Sequence, residues 1–215
     1  VALGVIPTGS GNGFARHLGI PMDVRRAIVA AREARIETID TAVADGIPFV
    51  GVMGVGFDAC IAERFAAETR RGLWTYVRVG IGGYAAFRPE EYELVVDGQT
   101  LRRRATIVAI ANTSQYGNEA RVAPLASVQD GLLDVVIVED VPIVRAPMAI
   151  ARLFRGTFDR TAGVEMLRAR EVIVRRAAPG AAHLDGEAVR LGTEIAVRVV
   201  PCSLRVLVPP AIHHL

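Results

Sequence analysis

Ile36-Glu37-Thr38-Ile39-Asp40-Thr41-Ala42-Val43, followed by Asp45-Gly46 and then Phe49-Val50-Gly51-Val52, is the stretch on which the fold turns. Residues 36–43 alternate roughly between polar and apolar, the two-residue period of a half-buried strand. Asp-Gly is a hairpin turn signal, and residues 49–52 continue as a second strand. Just upstream the period is different. Val24, Ala27, Ile28 and Ala31 recur at helical spacing behind Asp23, which predicts an N-capped helix through about Glu33. The chain thus changes character near residue 35, from a scrap of α/β structure to a mostly antiparallel β region.

Working outward, the same strand signals recur. Residues 92–96, the turn Asp97-Gly98 and residues 101–111 read as a hairpin, and residues 132–138 as a strand. Residues 164–174, 182–189 and 195–208 read as strands linked at Pro179-Gly180, Asp185-Gly186 and Gly192. Helices are expected over 57–67 and 74–87, parted by Arg70-Arg71-Gly72. A further helix is expected over 141–154, with Pro142 in its first turn and Pro147 as a kink. Runs of strands with hairpin turns favour a two-layer sandwich over a doubly wound sheet.

At the other end, Val1-Ala2-Leu3-Gly4-Val5-Ile6 is an apolar run of the buried-strand kind. Pro7 and the small-residue turn Thr8-Gly9-Ser10-Gly11-Asn12-Gly13 separate it from a helix starting at Phe14. A strand, a glycine-rich turn and a helix make an anion site, since glycines let backbone N–H groups approach a phosphate. Ser10 adds a hydroxyl, and Asn12 can cap the helix or pin the loop. A plain strand-to-helix turn is the alternative reading. The turn is neither a P-loop, for no Lys-Ser/Thr pair follows, nor a G-x-G-x-x-G fingerprint. The chain starts without methionine inside this run, so upstream sequence is expected to complete the first domain.

The 215 residues suffice for one large core or two smaller ones. Hydrophobic residues at 51% and charged residues at 22% exclude a disordered chain, and no apolar run reaches the ~20 residues of a membrane span. A net charge of +2 argues against nucleic acid as a partner. All 25 basic residues are arginine, which removes lysine as a phosphate ligand or Schiff-base nucleophile. Cys60 and Cys202 stand far apart beside apolar neighbours and are expected as buried free thiols. The histidines lack zinc-ligand spacing.

Three polar clusters remain. Asn112-Thr113-Ser114-Gln115-Tyr116-Gly117-Asn118 follows a strand and reads either as a polar surface turn or as a site loop. Ser127-Val128-Gln129-Asp130-Gly131-Leu132 offers a carboxylate and carbonyls that suit a tight turn or a hard cation such as Mg²⁺. His183-Leu184-Asp185-Gly186-Glu187 reads as a hairpin, or as a carboxylate at its tip that binds Mg²⁺ or accepts a substrate proton.

Taken in order, these segments resemble the diacylglycerol kinase/sphingosine kinase superfamily, specifically its bacterial soluble lipid kinases, over nearly the whole chain. The residues that carry the resemblance are Ile6–Arg16, Gly54-Val55-Gly56-Phe57-Asp58-Ala59, Asn112 with Tyr116-Gly117, Ala123-Pro124-Leu125-Ala126, Asp130-Gly131-Leu132-Leu133-Asp134 and Asp185-Gly186-Glu187. The implied fold is α+β: an antiparallel β-sandwich with inserted helices over 36–215, preceded by the remnant of an N-terminal α/β nucleotide-binding domain over 1–35. The last few residues are expected to return to that first domain. The implied reaction moves the γ-phosphoryl group of ATP to a lipid hydroxyl, with ATP and Mg²⁺ as cofactors. The resemblance assigns Thr8, Gly9, Ser10, Gly11 and Asn12 to the ATP phosphates and Glu187 to proton acceptance or the catalytic metal. It assigns Asp130, with the carbonyls of Ser127 and Leu132, to a structural Mg²⁺.

Partners implied are ATP and a lipid reached peripherally at the membrane surface from the cytoplasm; a homodimer is left open. Two departures stand out. The family's Gly-Gly-Asp-Gly-Thr motif, which covers the phosphates and serves the catalytic metal, has no copy here, so the chain by itself is expected to be inactive. Gly13 stands where many relatives carry Asp. An NAD kinase, which shares the fold, and a non-catalytic lipid-binding or regulatory module are the alternatives.

Overall fold

The computed structural model describes residues 1–67, 83 and 87–210. Its elements in chain order are α1 (Gly13–His17), α2 (Val24–Glu33), β1 (Arg35–Ala44), β2 (Ile47–Phe49), β3 (Val52–Gly56) and α3 (Phe57–Ala67). After these come β4 (Glu90–Val96), β5 (Gln99–Ala105), β6 (Ile107–Ala111), β7 (Leu133–Val138) and α4 (Ala146–Arg155). The last strands are β8 (Val164–Ala169), β9 (Glu171–Arg176), β10 (Gly180–Leu184), β11 (Glu187–Leu191) and β12 (Glu194–Val208). The expected helix over 74–87 lies, but for Gly83 and Phe87, outside the described residues.

The strands form two six-stranded antiparallel sheets, ordered β2-β1-β12-β9-β4-β5 and β11-β10-β3-β6-β7-β8. Between them lies one core, filled by Leu94, Val174 and Ile195 from the first sheet and Met53, Ile110 and Val135 from the second. The fold is therefore α+β, a sandwich with few helices, as the strand runs and hairpin signals predict. The Asp45-Gly46, Asp97-Gly98 and Asp185-Gly186 turns carry positive φ at both residues, the requirement of a type I′ hairpin. Asp23 caps α2 by accepting the Arg26 N–H at 2.9 Å.

Several sequence expectations are corrected. Residues 49–52, 101–111 and 164–174 do not form continuous strands. Each run breaks, at Val50-Gly51, at Thr106 and at Arg170, and its two halves join different sheets. Both halves face a core, so the hydrophobic pattern runs on across the corner and hides it. Thr106 secures one corner, its N–H donating to Val138 O and its hydroxyl to Glu139 O.

Pro147 does not kink a helix. A short 3₁₀ turn over Ile143–Arg145 precedes α4, which places Pro147 in the first helical turn, where its missing N–H has no intrahelical partner to lose. Residues 1–6 form no buried strand. Leu3 alone pairs, in parallel with Val206, and Val1, Leu3 and Ile6 are exposed, because among the described residues only β12 pairs with this run. Cys60 is half-buried and free, whereas Cys202 is free and exposed.

The outer face of the second sheet is covered. Val52, Ala111, Val136 and Val138 lie there beneath Ala149 and Leu153 of α4 and beneath Tyr116 and Val122. This layer is where the polar loops gather.

Candidate active site

The 8–13 turn is closed by its own asparagine. Asn12 has φ 52° and does not cap α1 with its side chain; instead Oδ1 accepts the Gly9 N–H at 3.0 Å and Nδ2 donates to Gly9 O at 2.8 Å. Of the two roles open to Asn12, it pins the loop. α1 is only five residues long, so its dipole is small and any anion here would rely on the loop's own N–H groups.

The 112–119 loop is fastened to this turn along its length. The Asn118 N–H donates to Gly11 O at 2.9 Å, and Arg16 pairs with Glu119 at 3.1 Å. The Ser114 N–H donates to His17 Nδ1 at 3.1 Å, with the Ser114 hydroxyl 3.0 Å from the same nitrogen. Burial pushes the His17 pKa below its usual 6.5, which favours the neutral ring that can accept at Nδ1. Gly13 is forced by close approach: a Cβ there would come within 2.8 Å of Tyr116 O and 2.9 Å of Gln115 O.

The third cluster is tied on from the other side. Asp185, in the tip of the β10–β11 hairpin, accepts the N–H groups of Val50, Gly51 and Val52 at 2.9, 2.7 and 3.0 Å. The same segment meets the site loop, because the Asn112 N–H donates to Gly51 O at 2.8 Å and Asn112 Nδ2 donates to Val50 O and Asp40 O. The turn, the 112–119 loop and the hairpin tip are thus consecutive links of one hydrogen-bonded chain. Two buried atoms at the central link, Asn112 Oδ1 and Thr113 Oγ1, have no partner among the described residues. Glu187 is exposed, opposite Leu184 at the start of β11.

The Asp130 loop is fastened elsewhere. The Asp130 carboxylate accepts the Leu132 N–H at 3.1 Å and the Arg168 guanidinium, while the Gly131 N–H donates to Asp40 Oδ2 at 2.8 Å. Arg168 also approaches the buried Asp134 at 3.9 Å. Burial, opposed by Arg168 and reinforced by the Asp130 charge, pushes the Asp134 pKa up to about 6. Two carboxylates share one half-exposed arginine here, and among the described residues no group of three or more His, Cys, Asp or Glu is arranged to hold a metal ion.

Sequence reading gave Asp40 no role, and it placed Asp58, Tyr116 and His183 in three separate motifs without bringing them together. Asp40 is buried at 2% exposure and also accepts the Cys202 N–H at 2.8 Å, joining three segments. Its signal was a carboxylate inside a strand-like run. Tyr116 OH donates to Asp58 Oδ2 at 2.9 Å, and His183 Nε2 lies 3.2 Å from the same oxygen. Gly54 makes room for them, since a Cβ there would fall 2.1 Å from Asp58 Oδ2.

This fold is that of a solved structure described as a putative diacylglycerol kinase from Bacillus anthracis str. Sterne. The TM-score is 0.78 and the identity 19%, over 98% of this chain and 70% of that one. Residues 51–208 match the family described as the YegS C-terminal NAD kinase beta sandwich-like domain, and residues 1–44 match the diacylglycerol kinase catalytic domain. The chain belongs to the diacylglycerol kinase/YegS superfamily, and among its relatives are proteins named diacylglycerol kinase and probable YegS-like lipid kinase. It is 31% identical to a diacylglycerol kinase of Mycobacterium tuberculosis, over 97% of this chain and 70% of the relative. It is 27% identical to a diacylglycerol kinase of Bacillus subtilis, over 86% and 62%, and 27% identical to a Synechocystis protein, over 97% and 50%. The chain thus spans between 50% and 70% of the length of these relatives. No helix among the described residues is long and apolar enough to cross a membrane.

Proposed function

We propose that the full-length protein transfers the γ-phosphoryl group of ATP to the hydroxyl of a diacylglycerol-like or sphingoid-like lipid, reached from the cytoplasmic side of the membrane. The observation that carries this reading is the continuous link from the 8–13 turn through the 112–119 loop to the hairpin bearing Glu187. Donor phosphate and acceptor hydroxyl must meet in line, and a rigid connection between the groups that hold them supplies that positioning. The turn Thr8, Gly9, Ser10, Gly11 and Asn12 holds the phosphates, through the Thr8 and Ser10 hydroxyls and the N–H groups other than that of Gly9, which Asn12 Oδ1 already takes. Asn112 Oδ1 and Thr113 Oγ1, buried and without partners among the described residues, are polar atoms that a bound ligand would satisfy.

Glu187 accepts the proton of the lipid hydroxyl as that oxygen attacks. Bound Mg²⁺ supplies charge neutralisation. Of this chain's residues, Asp130 with the carbonyls of Ser127 and Leu132 would hold a structural Mg²⁺, with Arg168 swung aside. In this reading residues 1–35 belong to the nucleotide-binding domain and 36–215 to the sandwich domain. The 215-residue chain alone is inactive, because the Gly-Gly-Asp-Gly-Thr motif has no copy in it.

The test is radiolabelled ATP with the full-length protein, a lipid panel and NAD as acceptors. Label should pass to a lipid. Glu187→Gln should lower turnover about a hundredfold or more while leaving Tm unmoved, as loss of a general base does. Label passing to NAD, or a Glu187→Gln variant with full turnover, would overturn the assignment. So would robust lipid phosphorylation by residues 1–215 alone, for the inactivity claim.

A further inference from the structure

The 8–13 turn by itself offers a phosphate little charge. Its N–H groups and hydroxyls are dipoles, α1 behind it is five residues long, and the chain contains no lysine. A nucleotide triphosphate is a polyanion, which a cation with directed donors holds better than dipoles alone. Among the described residues the cation that hydrogen bonds tie to this turn is Arg16. Its Nε donates to Gly11 O at 3.2 Å, which fixes the guanidinium against the turn, while Nη1 is turned to Glu119 Oε1 at 3.1 Å.

Glu119 is held there at a conformational cost. It has φ 68° and follows Asn118 at φ 48°, so two residues in succession are left-handed without being glycine. Asparagine tolerates that conformation through its short polar side chain; glutamate keeps it only where its surroundings impose it. The imposing bonds are the Glu119 N–H to Gln115 Oε1 at 3.2 Å and the Asn118 N–H to Gly11 O at 2.9 Å. Together they bring a carboxylate to the arginine beside the turn. The pair itself is easily parted, because the Glu119 side chain is 58% exposed and an exposed ion pair contributes little.

We propose that Glu119 is a stand-in anion for Arg16, holding the guanidinium beside the turn until nucleotide phosphate displaces it. The proposal rests on the reading of the 8–13 turn as the phosphate holder. In the exchange Arg16 keeps its Nε bond to Gly11 O, and only the Nη groups change partner, from carboxylate to phosphate oxygen. The planar guanidinium matches both, since each presents paired acceptor oxygens. Glu119 is thereby a competitive brake on nucleotide affinity, and Arg16 a phosphate-binding residue.

The test is equilibrium binding of ATP to the full-length protein, with Mg²⁺ and in EDTA. Glu119→Gln should tighten binding about two- to fivefold in both buffers, the worth of an exposed ion pair, with Tm unmoved because the side chain is exposed. Arg16→Gln should weaken binding at least ~10-fold. In Arg16→Gln/Glu119→Gln the glutamate change should add nothing, because its effect acts through Arg16.

Unchanged or weaker binding by Glu119→Gln would overturn the proposal and make Glu119 a tether between loop and turn. Weaker binding with Mg²⁺ alone would make it a metal ligand instead. Tightening that persists without Arg16 would also overturn it, for Glu119 would then merely repel phosphate. If label still passes from ATP to a lipid while Glu119→Gln binds ATP as the native chain does, the exchange falls and the kinase reading stands. If ATP binds no form, the phosphate reading of the turn falls and takes the exchange with it.

Discussion

Asp185 receives three backbone N–H groups, whereas Glu187, two residues on, is exposed. Their substitutions should therefore separate cleanly. Asp185→Asn removes the charge and turns an amide NH₂ towards N–H donors. Charge-assisted bonds of this kind contribute about 1.5–3 kcal/mol each, so a loss of ~2–3 kcal/mol is expected, or about 5–10 °C in Tm by thermal unfolding. Glu187→Gln should leave Tm in place, and an equal drop for both would remove the distinction.

His17 makes the junction acid-sensitive. Its folded pKa lies below the ordinary 6.5, so just below that pH the unfolded state binds more protons than the folded one. The His17 contribution is thus full above 6.5 and falls as pH drops beneath it, whereas the raised Asp134 pKa acts in the opposite direction over the same range. From pH 7.5 to pH 5.5 the urea midpoint of the native chain should therefore fall relative to that of His17→Gln, whose carbonyl can still accept the Ser114 N–H; parallel slopes would exclude His17 as a source. No periodicity could have announced this residue. His17 and Ser114 are nearly a hundred positions apart, and each by itself is an ordinary polar residue at a loop edge.

At the level of elements, the β10–β11 hairpin is held at its base by one side chain. The Arg176 guanidinium donates to the carbonyls of Gly180, Ala181, Leu191 and Gly192, which bracket the two strands. Arg176→Met keeps the length of the side chain but strands those carbonyls, and a cost of ~3 kcal/mol is expected. Amide hydrogen exchange should then quicken in β10 and β11 before it does in β6 and β7; uniform quickening would mean the clamp is not local. What the sequence disclosed at this scale was the hairpins, because Asp-Gly carries its own conformational demand. It did not disclose the corners at Val50-Gly51, Thr106 and Arg170. Alternation records that a residue is inside, not which sheet it came from.

For the whole molecule, the two-layer sandwich was legible because strand runs and turn signals are local quantities. The candidate site was legible only as separate parts, the 8–13 turn, the 112–118 cluster and the Asp185–Glu187 tip, since each concentrates polar or glycine residues. The connections were not, because Asp40, Gly54 and Gly13 act through neighbours brought near only by folding. One of these connections also has a mechanical meaning. β1 and β12 remain paired from Arg35 opposite Val208 to Ala44 opposite Val197, with a register shift between Ile39 and Thr41 that Asp40 bolts through Cys202 and Gly131. The residues ahead of β1 are therefore carried on a cantilevered ribbon instead of a slack tether. Such a beam is stiff along its ladder and compliant at its one irregular joint, so any rotation of the 8–13 turn relative to the sandwich is levered about Asp40.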